Sequence, residues 1–285
     1  MNHVPAYVTD HAVLARGAQR TLSCVIGALS RLPVLLAACE RSPDAHAIES
    51  RAAEATPLAS DDAPAPPSSD RVRTAIDGML REAYGADKYD AARECWRHDV
   101  ETAGGPQTYC MTSDTPQLVP SRNGFELYFQ TYSDPDAVPY ALTDSGLQGL
   151  VAAYLDADGT WRTLASSPAL DRGQAGDCGC LDDRVVRVGP ETHGWLGVSG
   201  GIWQGIEVSQ YALHIPVDGV FRDVSTIPRK TEDDQASYNE IAIDDETAPT
   251  AGLYPLLVTR RSDTSVVESR RVVFDPGRGH YPWAP

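Results

Sequence analysis

The chain has 285 residues, 42% of them hydrophobic and 22% charged, which is enough apolar material to bury a sizeable core in one large domain or two ordinary ones. Its formal net charge is −16. A surface of that sign repels phosphate backbones and excludes nucleic acid as an expected partner, while attracting cationic proteins. Two lysines stand against 22 arginines, a bias that reports base composition rather than function.

The N-terminal segment is polar up to Arg16 and Arg20, and is followed by "TLSCVIGALSRLPVLLAAC" (21–39), apolar apart from Ser, Thr and Arg31. A basic flank, an apolar run and small residues before a cut make a secretory signal. "LAAC" (36–39) resembles the lipobox of bacterial lipoproteins, and the resemblance covers residues 1–39 only. It implies that residues 1–38 are removed, that Cys39 is lipidated, and that the protein is held at the cell envelope, facing the periplasm from the outer membrane. Acyl chains contribute about 0.8 kcal/mol per buried CH₂, so several of them anchor a protein without a spanning helix. No other run of about 20 apolar residues exists to span a membrane. Without residues 1–39, 21 basic residues face 39 acidic ones, a net charge of −18. Residues 40–69, rich in Ala, Pro, Ser and acids, bury too little to repay ordering and read as a disordered tether.

From Asp70 the texture changes. Val72, Ile76, Met79 and Leu80 recur at helical spacing, with Asp70 as expected N-cap and Gly85 as the stop, and a second helix is expected over 88–97. Residues 70–98 thus form a short helical segment ahead of a β-rich region, 99–285. Runs such as "FELYFQTYS", "GLVAAYL", "RVVRVG", "IEVSQYALHIP" and "SRRVVFDP" read as strands between Gly, Pro and Asp punctuation. "VAAYLDADGTWRTLASSP" (151–168) aligns without a gap on "YALHIPVDGVFRDVSTIP" (211–228), pairing Gly159 with Gly219 and Trp161 with Phe221. The same offset of 60 reaches Gly279 and Tyr281. Each copy is a strand, a turn closed by Gly, and a second strand with an aromatic residue. The expected class is therefore all-β with a short N-terminal helical segment. Its repeated hairpins fit either a small β-propeller of four-stranded units or a β-sandwich.

The six cysteines include Cys24 in the leader and Cys39 at the lipidation point, leaving Cys95, Cys110, Cys178 and Cys180. An even number suits disulfides in an oxidising compartment. Cys95 and Cys110 could close a loop; a Cys178–Cys180 bridge would be a short ring, so crossed pairings stay open. "AGDCGCLDD" (175–183) lacks a second close Cys/His pair for zinc and a thioredoxin-like context for redox work. "YLDADGTW" begins like a calcium loop but has Ser167 at position twelve instead of Glu. Ser199 in "GVSGG" lacks nucleophile-elbow spacing, and the histidines lack ligand spacing. No catalytic residue, metal or cofactor is assigned.

Recognition is better served by "HGWLGVSGGIWQGIEVSQY" (193–211). Trp195, Trp203, Gln204 and Tyr211 surround a glycine-rich turn, where aromatics could form a platform for a protein or a glycan, with cross-strand core packing as the alternative. The expectation is a non-enzymatic envelope binding domain, with neutralisation of a basic secreted enzyme or toxin as a candidate task. An envelope hydrolase acting on glycans and a structural element of an envelope assembly are the competing classes.

Overall fold

A computed structural model of the protein describes residues 65–283, apart from 103, 104, 122, 123, 157, 263 and 264. The signal, Cys24, Cys39 and nearly all of the expected tether lie outside the described residues.

The single helix of this region, α1 (Ser69–Tyr84), carries Val72, Ala75, Met79, Leu80 and Tyr84 on its buried face. The N-cap is Ser68, not Asp70. Asp70 sits in the first turn, where its charge favours the positive helix end, and pairs with Arg73 at 2.5 Å. Gly85 ends the helix as expected, with φ of +100° and its N–H donating to the Arg81 carbonyl.

The expected second helix is absent. Residues 88–97 instead open the first sheet with β1 (Tyr89–Asp90) and β2 (Cys95–Thr102). Beyond Cys95, Trp96, His98 and Val100 are more buried than Arg97, Asp99 and Glu101, the two-residue period of a strand with one covered face. The sheet continues with β3 (Gly105–Ser113), β4 (Gln117–Ser121), β5 (Gly124–Ser133), β6 (Gly146–Leu155) and β7 (Trp161–Arg172). Its order is β1-β2-β3-β5-β6-β7, with β4 on β5. A Cys95–Cys110 disulfide ties β2 to β3.

A second sheet of five strands has the order β11-β10-β9-β8, with β12 also on β10. It comprises β8 (Arg184–Arg187), β9 (His193–Trp203), β10 (Ile206–Val217), β11 (Val220–Asp223) and β12 (Pro228–Lys230). The third has three strands, β13 (Ser237–Ile243), β14 (Leu256–Ser262) and β15 (Ser265–Val272). Every strand pairing is antiparallel. Among the described residues the fold is all-β with one short helix.

Strand alternation dictates the layers. On β5 and β6, Leu127, Phe129, Leu147, Val151, Ala153 and Leu155 face α1. The intervening Tyr128, Leu150 and Ala152 point the other way and meet Trp195 and Phe221 of the second sheet. The far face of the second sheet offers Leu196, Leu213 and Ile215 to Leu256 and Val258 of the third. Helix, seven strands, five strands and three strands thus stack face to face, a sandwich extended by one layer.

The three glycines of the expected repeat share a backbone conformation but sit in unlike turns. Gly159, Gly219 and Gly279 all take left-handed φ of +92°, +82° and +72°, where a side chain is strained. Gly219 closes a two-residue turn between Val217 and Val220, whereas Gly279 lies in a longer turn between Asp275 and His280. Phe221 and Tyr281 are buried at 4% and 0% exposure, in different clusters, and Trp161 is half-buried against the α1 cluster. The sheets hold seven, five and three strands, so the hairpins do not belong to uniform four-stranded blades.

Candidate functional site

The residues expected to form an aromatic platform all lie on the β9–β10 hairpin, but they separate. Trp195 and Trp203 occupy the same face by strand parity, and eight residues at about 3.3 Å each put them some 26 Å apart. Trp195, paired with His214, lies under the first sheet at 1% exposure. Trp203 lies where the hairpin has run beyond that cover and is 53% exposed. The joint platform is therefore corrected to one exposed tryptophan. Gln204 and Gly205 form the tip, both with left-handed φ (+53° and +85°), between the paired residues Trp203 and Ile206. Val208 shares the Trp203 face and is also exposed, and exposed Ile202 lies on the opposite face, so the arm ends in apolar side chains on both sides. Tyr211 is half-buried, and its hydroxyl donates to the Asn239 carbonyl at 2.8 Å.

Three clefts adjoin β12. The first, of ≈ 380 Å³, runs from Trp203 and Val208 to Lys230 and Glu232. The second, of ≈ 560 Å³, contains Asp183, Arg184, Tyr211, Arg229 and Glu240. The third, of ≈ 370 Å³, lies between β12 and the third sheet and includes Arg229, Lys230, Asn239, Arg260, Arg270 and Trp283. Trp203 and Tyr211 thus line neighbouring clefts separated by β12.

Charge pairing fixes this divider. Glu207 accepts from Arg229 at 2.5 Å and from the Ser209 hydroxyl at 3.0 Å, and Lys230 stands 3.5 Å away. Partial burial raises the Glu207 pKa, but these partners outweigh it and hold the carboxyl below its usual range. On the far side, Ser237 and Arg260 both donate to Asp234 and keep it ionised.

Between the first and second sheets lies a polar cluster that sequence reasoning missed. Arg172 and Asp183, with side chains 3% and 2% exposed, form an ion pair at 3.2 Å. Gln148 bridges them: its Oε1 accepts from Arg172 at 2.7 Å and its Nε2 donates to Asp183 at 2.9 Å. Arg172 also donates to the Val198 carbonyl, and Gln148 donates to Gln130. Burial pushes the Asp183 carboxyl upward against the opposing pull of Arg172 and Gln148. A Cβ at Gly197 would sit 1.7 Å from Asp183 Oδ1, so only glycine lets the carboxylate approach β9.

The "AGDCGCLDD" stretch explains how Asp183 is delivered. Cys178 and Cys180 are joined to each other, with both residues buried, which settles the pairings left open by the spacing. The Cys180 carbonyl accepts from the Asp183 N–H at 3.0 Å and from Gln130 at 3.3 Å. The acid that serves as the fastening stands three places beyond the Cys-Gly-Cys. In the "DADG" turn, Asp158 accepts from the Thr160 N–H at 2.8 Å. Among the described residues no three His, Cys, Asp or Glu side chains converge as metal ligands do.

No protein-family model, no curated protein and no solved structure matches this chain.

Proposed function

We propose that the protein is a cell-envelope lipoprotein, anchored through acyl chains on Cys39 at the outer membrane and facing the periplasm. Residues 40–69 serve as its tether, and the β domain acts as a non-enzymatic binding module for a basic secreted enzyme or toxin. The observation that carries the binding role is the exposed apolar end of the β9–β10 arm, where Ile202, Trp203 and Val208 are 63%, 53% and 38% accessible. Exposed tryptophan ringed by polar groups is the composition of an interface anchor. Glu232 lines the same cleft as Trp203, and Asp233 beside it is exposed. With the net charge of −16, these acids favour a cationic partner and speed its encounter.

The test uses the full-length protein and a cationic lysozyme as the probe enzyme. Saturable binding is expected, falling at least tenfold in Trp203→Ala, with an unchanged melting temperature. Binding unaffected by Trp203→Ala, or absent at low salt, refutes the module. Intact mass of the protein extracted from membranes tests the anchor separately: the absence of acyl mass, or its persistence in Cys39→Ala, removes it.

A further inference from the structure

The cleft between β12 and the third sheet has a chemistry of its own. Strand register places Asn239, Arg260 and Glu268 in one row across β13, β14 and β15, and Ile241, Val258 and Arg270 in the next. Towards Leu256 and Val258 this face packs on the second sheet; towards Arg260 it opens and turns charged. One side is closed by the C-terminal segment, held by fully buried Tyr281, whose hydroxyl donates to the Tyr254 carbonyl at 2.6 Å. Two residues on, the Trp283 N–H donates to Thr226 Oγ1 at 3.2 Å.

That anchorage sets the Trp283 ring against a cation, and a second ring, Tyr238, stands near another. Arg270 Cζ stands 3.4 Å from the Trp283 ring centroid, and Arg229 Cζ stands 6.0 Å from that of Tyr238. Stacking engages a guanidinium by its face and leaves its in-plane N–H donors free to bind two oxygens of one carboxylate. Arg229 and Lys230 already share Glu207, and Arg260 holds Asp234. Arg270, by contrast, lies in no ion pair among the described residues. With Glu268 included, four cations face three acids, a local positive excess on a strongly acidic chain. Asn239, 9% exposed, donates its amide to the Pro228 carbonyl, while its Oδ1 accepts no hydrogen bond.

We propose that this cleft binds a small carboxylate-bearing ligand, with Arg270 on Trp283 as its anchor. The ligand's carboxylate takes the edge of Arg270, hydroxyl groups reach Asn239 and Asp234, and the ≈ 370 Å³ of space suits a single ring. The site is independent of the partner proposed for the β9–β10 arm, which lies on the other side of β12.

Glucuronate serves as the probe, glucose as its uncharged counterpart, and inorganic phosphate as a control for general anion attraction. The full-length protein, ¹⁵N-labelled at tryptophan, is titrated while indole Nε1 resonances are followed, with Trp283 assigned through Trp283→Phe. Glucuronate is expected to shift the Trp283 resonance saturably while buried Trp195 stays still, with glucose and phosphate producing no comparable shift. Arg270→Gln is expected to weaken the response at least tenfold, as loss of a bidentate charged contact does. Arg270→Lys keeps the charge without the planar fork and should fall several-fold, which guards against a folding defect in the first variant. A Trp283 resonance indifferent to glucuronate, an equal response to glucose or phosphate, or unchanged binding by Arg270→Gln would each overturn the assignment.

Discussion

Acidification should destabilise this protein through His214. The imidazole is 6% exposed, lies opposite Trp195, and has no hydrogen-bond partner for Nδ1. Burial, aided by the positive charge of Arg172, lowers its pKa from 6.5 to about 4. Below pH 6.5 the unfolded chain takes up a proton that the folded chain refuses until about pH 4, so stability falls as pH falls through that window. The difference between pH 7.5 and 4.5 comes to roughly 2–3 kcal/mol from this residue alone. Asp183 and Asp223 lie in the same layer, and burial raises both, so their contribution has the opposite sign and stability rises as they are protonated. A comparison with His214→Leu cancels those terms, because leucine fills similar space without titrating. Urea unfolding at both pH values should show wild type losing roughly 2–3 kcal/mol more than the variant. Equal losses would refute the reasoning and mean that the imidazole reaches solvent or finds a partner.

Arg172→Met should cost about 3–5 kcal/mol at neutral pH, because it leaves the Asp183 carboxylate buried without its counter-charge; denaturant midpoints measure it, and recovery when Asp183→Leu is added would confirm that the lone charge is the cause. Phe221→Ala and Tyr281→Ala should each lose about 3–5 kcal/mol, and half-buried Trp161→Ala less, a ranking that thermal melts can read. Replacing both Cys95 and Cys110 by Ser should lose about 3 kcal/mol for a loop of 15 residues, and titration of the denatured wild-type domain should find no free thiol at these positions.

Much of the architecture is local in origin and could be read directly. The spacing of Val72, Ile76, Met79 and Leu80 specified α1, and Gly85 marked its end, since these signals act within a few residues. Gly, Pro and Asp punctuation around "FELYFQTYS" and "IEVSQYALHIP" delimited strands, and the positive φ at Gly159, Gly219 and Gly279 followed from turn chemistry. The same logic failed over 88–97, where Trp96, His98 and Val100 alternate but the partner strand, β3, decides the outcome by pairing with them.

The site was legible only in part. Sequence placed Trp195, Trp203, Gln204 and Tyr211 around a glycine-rich turn, but Gly197, Gly200 and Gly201 lie inside β9 and the turn falls at Gln204 and Gly205. Which of the two tryptophans meets solvent depends on how far the first sheet extends over β9, a boundary set by packing between layers. Arg172 and Asp183 stand eleven positions apart and carried no motif; they become a pair because Gln148 arrives from β6 and Gly197 leaves room from β9. Arg270 and Trp283 meet for a similar reason: the C-terminal segment is pinned by Tyr281 beside a strand whose exposed face had no pattern to read. Composition determined the charge and the core, and local periodicity determined the elements. Tertiary structure decided which side chains share a cleft, because proximity between layers depends on contacts hundreds of atoms apart along the chain.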